Sequence, residues 1–480
     1  MRKSVLSLFI ASAMTFSVAD AKQQAILLGG GYLLEGSQGQ IELNLKWVQE
    51  ILQARGIEPR VFYTDGDDQN PDIFIQQPVA ESLQNLQPLA RVFGQQVLNG
   101  VSYRNHEVAG VESSTDRETL LPVLNKTLQN VKPDDELLFV YNGHGSPSEG
   151  AADEVALKLW NDTRLSAGEF QETLAGLDPA VAFRYVFTQC YSGGFHRLIY
   201  QDSKAGHQLA EPLRCGFTAE SAWRQSEGCS ASIDMGDYRD YTTFFFAALN
   251  GKDRLERPLL ADPDQNADGR TTLREAHLYT LEYAHSTDLS RSSSEDYLEQ
   301  WRPWYLKWLP LSGDMPDNEY ASLAKSVATH NDINETGLLE AVRSRLATLR
   351  AEFETLQAQQ YQARDEAEQV REALQGRLIA RWPQLGTPYT LAYKTLLLDG
   401  SDEVQNWIVS QQDYPQLRDL QDSDAEYDQQ ILETERNLAQ LEKILRLRKL
   451  AFLQAWLYDY GSSEDIAGYE KLVGCESSAM

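Results

Sequence analysis

Apolar and polar positions alternate in two different ways along this chain of 480 residues. From residue 24 to about 284, short apolar runs such as 25–32 and 136–145 are separated by amphipathic stretches such as 41–56. Continuous apolar runs between helical segments are typical of parallel strands joined by helical crossovers. We therefore predict an α/β fold for residues 22–300, a three-layer α/β/α sandwich in which helices cover both faces of a mostly parallel sheet.

The remaining elements of this region follow from the same periodicities and from helix-stopping residues. A long irregular stretch contains Pro71, Pro78 and Pro88. The pattern predicts strands over 59–66 and 183–190, a strand beginning at 216–220, a hairpin over 155–165, and helices over 115–131, 166–177 and 241–249.

Beyond residue 301 the strand signals become rare and a heptad pattern takes over. Apolar positions at alternating spacings of three and four run from Leu339 to Leu374 and again from Tyr427 to Ala455. This pattern predicts an all-α C-terminal domain, residues 336–480, in which two long helices form an antiparallel hairpin or coiled coil. The hairpin either buries its own seam, which we favour because the two seams are similar in length, or presents an interface for a partner protein or an oligomer. Residues 301–335 are predicted to be a linker.

The amino terminus has the pattern of an export signal. Arg2 and Lys3 precede an uncharged, mostly apolar stretch, and small residues at Ala19 and Ala21 supply a cleavage site. We therefore predict a signal peptide over residues 1–21 and a mature chain beginning at Lys22, exported to a periplasmic or extracellular space where disulfides form. No later segment has the length of uncharged apolar sequence that a membrane span needs, so no span is predicted in the mature chain.

Composition excludes some functions. Hydrophobic residues make up 42% of the chain and charged residues 24%, which is typical of a folded globular protein. The 71 acidic residues outnumber the 43 basic ones and give a formal net charge of −28. Such a charge repels phosphate backbones, so nucleic acid is not an expected partner.

Two strand ends carry residues suited to nucleophilic catalysis. His144 lies between two glycines at the end of the predicted strand 136–145, and Cys190 ends the predicted strand 183–190. Ligands of open parallel sheets bind at the carboxyl ends of the strands. A thiol attacks carbonyl carbon as its thiolate, and an imidazole can accept its proton. Nearby glycines let backbone N–H groups approach a substrate oxyanion.

This arrangement resembles the caspase–legumain superfamily of cysteine peptidases, including its metacaspase-like members. The resemblance rests on an apolar strand that ends in His-Gly and a later strand that ends in Cys with Ser-Gly following, and it covers roughly residues 22–290. It implies that His144 and Cys190 form a catalytic dyad and that the backbone N–H groups of Gly145 and Cys190 form the oxyanion hole. Cys190 would attack a peptide carbonyl and His144 would protonate the leaving amine.

The resemblance also implies where the substrate pocket lies. Superfamily members often carry Gln, Asp or Glu two residues before the cysteine, where this chain has Thr188, so their side-chain preference does not transfer. The segment 216–230 resembles the strand and loop that wall the pocket, although a plain surface loop is an equal alternative. The candidate pocket residues are Thr188, Gln189, Glu220, Ser221 and Arg224.

Besides Cys190, the chain has three cysteines that could form disulfides, Cys215, Cys229 and Cys475. Cys215 and Cys229 flank the candidate pocket loop and are expected to close a short disulfide that fixes it, with two reduced cysteines as the alternative. Cys475 is then left over as a free thiol or a bridge to another molecule.

Residues 264–275 have the spacing of a calcium-binding loop. Gly269 stands at the position where such loops turn sharply, although Thr271 replaces the usual aliphatic residue. The alternative is an acidic turn that caps the following helix. The predicted Ca²⁺ ligands are the side chains of Asp264, Asn266, Asp268, Thr272 and Glu275 and the carbonyl oxygen of Arg270.

Taken together, these observations predict an exported cysteine endopeptidase that hydrolyses peptide bonds through a thioester acyl-enzyme and binds Ca²⁺ but no organic cofactor. Two alternatives remain open. The same dyad serves a peptidyl transferase or ligase if an amine rather than water resolves the thioester. A peptidase-like binding protein would instead use the helical arm to recruit a partner.

Overall fold

The computed structural model of the chain describes residues 22–76, 86–94, 100–133, 135–148, 150, 154–202, 208–301, 303, 313–334, 337–388 and 390–479. The predicted signal peptide, residues 1–21, lies outside the described residues, as do residues 302, 304–312 and 335 of the predicted linker.

The described residues form a main sheet of nine strands, in the order β11-β10-β9-β6-β1-β2-β5, with β7 pairing β6 and β8 pairing β7. All pairs along the main path are parallel except the edge pair β10–β11. A second, two-stranded sheet pairs β3 with β4. The strands are β1 (Gln23–Gly30), β2 (Arg60–Tyr63), β3 (Ile73–Gln76), β4 (Val101–Arg104), β5 (Val111–Ser113), β6 (Glu136–Ser146), β7 (Ala156–Leu159), β8 (Thr163–Ser166), β9 (Ala182–Phe187), β10 (Arg214–Thr218) and β11 (Arg291–Ser292).

Helices surround this sheet and then continue as a long helical region. They are α1 (Gly39–Ala54), α2 (Gln87–Phe93), α3 (Arg117–Gln129), α4 (Ala167–Leu174), α5 (Tyr241–Asn250), α6 (Leu273–Tyr283), α7 (Ser293–Trp301), α8 (Glu319–His330), α9 (Leu338–Arg381), α10 (Leu391–Asp399), α11 (Ser401–Ser410), α12 (Tyr414–Tyr460) and α13 (Ser463–Glu476), with a 3-10 helix over Ser192–Ile199.

The central strands are buried on both faces, which explains their continuous apolar sequences. In β1, Ile26 and Leu28 pack into one core, whereas Leu27 packs into the other. The first core lies against α3, α4 and the 3-10 helix, and the second lies against α1, α5 and α6. This alternation follows from the two-residue period of a strand. The predicted three-layer α/β/α sandwich is confirmed.

The predicted antiparallel helical hairpin is also confirmed. Ion pairs between α9 and α12 join Arg350 to Glu442 at 3.0 Å and Arg364 to Asp428 at 3.0 Å, so positions rise along one helix as they fall along the other. Pro415 lies in the first turn of α12, a position where a missing backbone N–H costs nothing.

The end of the helical region returns to the sheet. Cys475 of α13 forms a disulfide with Cys215 of β10, with 6.1 Å between the Cα atoms. Nearby, buried Arg274 of α6 pairs with Glu476 of α13 at 2.8 Å and with Glu319 of α8 at 2.7 Å. The helical region therefore begins and ends against the α/β layers.

The predicted disulfide between Cys215 and Cys229 is wrong, and Cys475 is not left over. Cys215 stands near the amino end of β10 with a fully buried side chain, whereas Cys229 lies in the exposed loop beyond the carboxyl end of that strand. A strand rises about 3.3 Å per residue, so the length of β10 separates the two cysteines. A disulfide needs Cα atoms no more than about 7 Å apart.

The proline-containing stretch, expected to be irregular, contains defined elements among its described residues. Strands β3 and β4 pair with each other, and α2 lies between them in sequence. Leu89 of α2 is fully buried in a cluster with Leu374 and Leu378 of α9 and Leu417 of α12. The α2 helix therefore packs where the carboxyl end of α9 meets the amino end of α12.

Candidate catalytic site

The predicted dyad residues lie at one edge of the sheet. Strands β6 and β9 pair in parallel with Tyr141 opposite Phe187, and His144 and Cys190 each follow these positions toward the carboxyl end. Strand β1 lies between β6 and β2. The connection from β1 leads to β2 on one side, and the chain later returns to β6 on the other side, so the strand order reverses at β1. Such a switch point opens a crevice at the carboxyl ends of the strands, which is where ligands of open α/β sheets bind.

The His144 ring is held by contacts on both of its nitrogens. Nε2 lies 2.8 Å from Oε1 of Gln38, in the segment that leads into α1. Nδ1 lies 3.6 Å from Sγ of Cys229. The ring also meets Tyr32 edge to face, with 5.3 Å between the ring centroids. Burial lowers the pKa of His144, so the imidazole is neutral at neutral pH and can accept a proton.

Cys190 lies in a turn that holds its thiol against the next loop. Its Sγ accepts a hydrogen bond from the backbone N–H of Ser226 at 3.4 Å and lies 3.7 Å from the Ser226 hydroxyl, which donates to the Thr188 carbonyl at 3.1 Å. Burial raises the pKa of the Cys190 thiol. The following residue, Tyr191, has a left-handed backbone with φ of 60°, a conformation that a non-glycine residue adopts at a cost. Because its pKa is raised, the Cys190 thiol is protonated at neutral pH and requires a base before it can attack.

Cys229 is a second thiol at the site, and sequence reasoning missed its role because it assigned the residue to a disulfide. Cys229 is exposed, whereas Cys190 is partly buried. Within the described part of the chain, the thiol in hydrogen-bonding contact with His144 is that of Cys229. The loop is held there because the Gln40 N–H donates to the Ser230 carbonyl at 3.1 Å and the Ser230 N–H donates to Gln40 Oε1 at 2.9 Å.

The two predicted oxyanion-hole residues approach each other closely. A Cβ atom on Gly145 would lie 2.0 Å from the carbonyl oxygen of Cys190, so only glycine fits at this position. Among the described residues, the Cys190 N–H donates no backbone hydrogen bond to another residue. A free N–H beside a nucleophile is suited to stabilising an oxyanion.

Three of the predicted pocket residues are buried, and their side chains differ in hydrogen bonding. Thr188 accepts a hydrogen bond from Asn142 Nδ2 at 2.9 Å. Gln189 is 1% exposed, and neither its amide nitrogen nor its amide oxygen has a hydrogen-bond partner. Glu220 is 0% exposed, and burial raises its pKa. These three side chains therefore lie behind the site surface rather than on it.

Glu220 instead fixes the predicted pocket loop. Its carboxylate accepts from the backbone N–H of Ser221 at 3.0 Å and of Leu289 at 2.9 Å, and it pairs with Arg224 at 3.3 Å. Arg224 is partly exposed and lines a cavity that continues along α12. Among the predicted pocket residues, Arg224 therefore lines the wall of a cavity.

The predicted calcium loop folds back on itself through its own carboxylates. Asp264 accepts hydrogen bonds from the backbone N–H of Gly269 at 2.8 Å and of Asp268 at 3.2 Å. Gly269 has the positive φ, 86°, that the sharp turn requires. Glu275 and Thr272 form a reciprocal capping box at the start of α6. The two remaining predicted ligands stay within the turn: Asn266 Oδ1 accepts from the Asp268 N–H at 2.8 Å, and the Arg270 N–H donates to Asp268 at 2.9 Å.

A different cluster brings metal-ligating atoms closer together. Asp65, Asp72 and His106 have ligand atoms within 4.8 Å of one another, whereas the described carboxylates of the predicted calcium loop do not come together this closely as a group of three. His106 Nδ1 lies 2.7 Å from Asp72, and burial is the main cause that raises the pKa of Asp65 to about 7. Sequence reasoning missed this cluster because its residues come from separate, irregular segments.

No helix among the described residues is long and apolar enough to cross a membrane. No protein-family model matches the chain, and no curated protein is significantly similar to it in sequence. A Geobacter sulfurreducens protein of known crystal structure shares 11% sequence identity, with a TM-score of 0.32 over 56% of this chain and 93% of that protein.

Proposed function

We propose that this protein is a cysteine endopeptidase in which Cys190 is the nucleophile and His144 the general base and acid. The observation that supports it is the placement of a neutral imidazole and a partly buried thiol beyond two adjacent parallel strands, at the carboxyl edge of the sheet, with a backbone N–H at the thiol residue that donates to no other described backbone group. Each group has a role in acyl transfer, and the three together are rarely needed for binding alone.

In the proposed reaction, His144 takes the proton of the Cys190 thiol as sulfur attacks a peptide carbonyl carbon. The N–H groups of Gly145 and Cys190 stabilise the oxyanion. His144 then gives its proton to the leaving amine, and the C–N bond breaks to leave a thioester. Water, deprotonated by His144, hydrolyses the thioester and restores the thiol. If an amine took the place of water, the same site would act as a ligase.

A second candidate nucleophile is Cys229, because its Sγ is in contact with His144 Nδ1. We favour Cys190 because it follows β9 at the carboxyl edge of the sheet, where ligands bind, and because its backbone closely approaches Gly145, the other proposed oxyanion-hole residue. Cys229 lies on an exposed loop without such a partner.

The test compares purified wild-type protein with Cys190→Ala, Cys229→Ala and His144→Ala variants. A peptidyl electrophile should label Cys190, as located by mass spectrometry of the digested adduct, and Cys190→Ala should abolish labelling and the hydrolysis of a peptide library. Cys229→Ala should retain both. Labelling of Cys229 alone would show that Cys229, not Cys190, is the nucleophile. Undiminished hydrolysis by a folded Cys190→Ala/Cys229→Ala variant would contradict the proposal that the protein is a cysteine peptidase.

Two further assignments belong to this proposal. We infer that the protein works outside the cytoplasm, which the disulfide between Cys215 and Cys475 supports because structural disulfides persist in oxidising spaces. We also infer that the loop from Asp264 to Glu275 binds Ca²⁺, which the ligand spacing and the turn at Gly269 support.

A further inference from the structure

A cavity lies between the loop that contacts Cys190 and the long helical hairpin. Its volume is about 540 Å³. One wall is the backbone and side chains of residues 224–227 together with Thr287. The opposite wall belongs to Phe353 of α9 and to residues of α12, which are Leu432, Glu435, Leu438, Ala439 and Glu442. The helical region therefore supplies about half of the residues that line the cavity.

The cavity adjoins the proposed nucleophile. Ser226 lines it and also contacts Cys190 Sγ: its backbone N–H donates to Sγ at 3.4 Å, and its hydroxyl oxygen lies 3.7 Å from Sγ. Arg224, at the other end of the same wall, accepts a hydrogen bond at its carbonyl from the Tyr191 N–H at 2.8 Å. A residue whose carbonyl carbon is attacked by Cys190 can therefore direct its side chain into this cavity.

The charges of the cavity leave one carboxylate without a partner. Glu227 pairs with Arg436 of α12, and Glu442 pairs with Arg224 at 3.3 Å and with Arg350 at 3.0 Å. Glu435 is partly buried and forms no hydrogen bond or ion pair with any residue that the structure describes. Partial burial raises its pKa, with a smaller opposing effect from Arg224 and a contribution from the like charge of Glu227. The cation of the wall, Arg224, is meanwhile shared between Glu220 and Glu442.

The rest of the lining is apolar where α9 and α12 meet the cavity. Phe353, Leu432, Leu438 and Ala439 give the hairpin wall a hydrocarbon surface around Glu435. A side chain that combines an apolar stem with a cationic head complements such a surface, because the stem packs on hydrocarbon while the head pairs with the carboxylate. Lysine and arginine have this form.

We propose that the cavity binds a lysine or arginine side chain of the substrate, at the residue that contributes the attacked carbonyl, and that Glu435 pairs with its charge. The proposal rests on the proposed peptidase function and adds a specificity-determining residue from outside the α/β layers. The helical hairpin is thereby part of the substrate site rather than only an arm for partners.

The experiment uses peptides that are identical except for arginine or citrulline before the cleaved bond. Citrulline has nearly the same shape as arginine but no charge. Wild-type protein should cleave the arginine peptide with a kcat/KM at least tenfold higher, and Glu435→Gln should lower that preference at least tenfold while leaving the citrulline peptide cleaved as before. Glu426→Gln, which removes an equal charge from an exposed position of α12, should change neither rate.

A binding measurement separates this proposal from the peptidase assignment. In the Cys190→Ala background, calorimetry should give tighter binding of the arginine peptide than of the citrulline peptide, and adding Glu435→Gln should remove the difference. Equal binding of both peptides, or an arginine preference that Glu435→Gln leaves intact, would overturn the role of the cavity. If the preference depends on Glu435 but wild-type protein cleaves no peptide, the cavity assignment stands and the peptidase function fails.

Discussion

Gln38 Oε1 lies 2.8 Å from His144 Nε2, and this contact determines which nitrogen of His144 can act as a base. An amide oxygen only accepts hydrogen bonds, so Nε2 carries the proton of the neutral ring. Nδ1 is then unprotonated, and it is the nitrogen that faces a thiol, that of Cys229, at 3.6 Å. Gln38 is therefore a positioning residue that fixes both the orientation and the tautomer of the imidazole.

Replacing Gln38 should test this role. We expect Gln38→Ala to reduce kcat/KM by about tenfold, because an orienting hydrogen bond contributes about 1–1.5 kcal/mol and tenfold in rate corresponds to about 1.4 kcal/mol. The fold should be unaffected, since the contact lies at the sheet edge. Steady-state kinetics and thermal unfolding of the same samples measure the two effects.

The matched variant is Gln38→Glu, which keeps an acceptor at the same place and adds a negative charge. A carboxylate beside the ring favours the imidazolium, so the acid limb of the pH profile should move to higher pH. If Gln38→Glu behaves like Gln38→Ala and leaves the acid limb in place, Gln38 does not act on His144.

The reactivity of Cys190 with pH should report a protonated thiol beside a neutral imidazole. Burial raises the pKa of Cys190 from its ordinary value of 9.0 and lowers that of His144 from 6.5. Alkylation of Cys190 by iodoacetamide should therefore accelerate with increasing pH until well above pH 9, because only the thiolate reacts. The rate is measured in the Cys229→Ala variant so that a single thiol reacts.

The contrary result would be a plateau at or below neutral pH. That profile belongs to a preformed thiolate–imidazolium pair, in which the nearby positive charge lowers the pKa of the thiol. It would mean that His144 and Cys190 share a proton before substrate binds, in place of the general-base step proposed above.

The fold was predictable where one local pattern determined it. Residues of β1 and β6 are buried on both faces of the sheet, so their sequences are continuous apolar runs. Helices α9 and α12 bury one seam against each other and therefore show heptads. In contrast, α2 is buried by contacts with α9 and α12, and β3 pairs with β4 across a long separation in sequence. No local pattern reveals such partners, and the prolines in this stretch favoured an irregular structure.

The site was predictable only in part for a related reason. His144 and Cys190 come at the ends of apolar runs and have glycines nearby, which makes them recognisable in the sequence. Gln38 and Cys229 lie in loops whose positions depend on hydrogen bonds between chain segments that are far apart in sequence. No periodicity marks such residues, and the pairing of Cys215 with Cys475 spans 260 residues.

Loss of the disulfide between Cys215 and Cys475 should weaken the attachment of α13 to the sheet. We expect the Cys215→Ala/Cys475→Ala variant to have a free energy of unfolding lower by about 4 kcal/mol, because the bond closes a very long loop and so restricts the unfolded chain. Chemical denaturation under non-reducing conditions measures the difference. Reductant should destabilise the wild-type protein and have no effect on the double variant.

The comparison variant is Cys229→Ala, which removes a thiol from an exposed loop and should leave the free energy of unfolding nearly unchanged. Equal stability of the wild-type protein and the Cys215→Ala/Cys475→Ala variant would show that buried contacts such as the ion pair between Arg274 and Glu476 suffice to hold α13.

Calcium should stabilise the loop that precedes α6. Asp264, Asp268 and Glu275 bring like charges into one turn, and a bound cation would relieve their repulsion. Helix α6 packs on the sheet through Leu273 and Ala276. An ordered loop at the start of α6 should therefore stabilise the α/β layers as well. At about 100 times its dissociation constant, Ca²⁺ should raise the free energy of unfolding by about 2.7 kcal/mol. Magnesium should have a smaller effect, since it sheds its water reluctantly.

Calorimetric titration of chelator-treated protein checks this prediction, with Asp268→Ala as the loop variant and Asp262→Ala as its control. Asp262 is acidic and lies just before the loop, but the spacing does not make it a ligand. Binding should be lost in Asp268→Ala and retained in Asp262→Ala. Equal binding by both variants would place the cation elsewhere, with Asp65, Asp72 and His106 as the next site to examine. If none of the three proteins binds Ca²⁺ at millimolar concentration, the acidic segment serves only to cap α6 through Thr272 and Glu275.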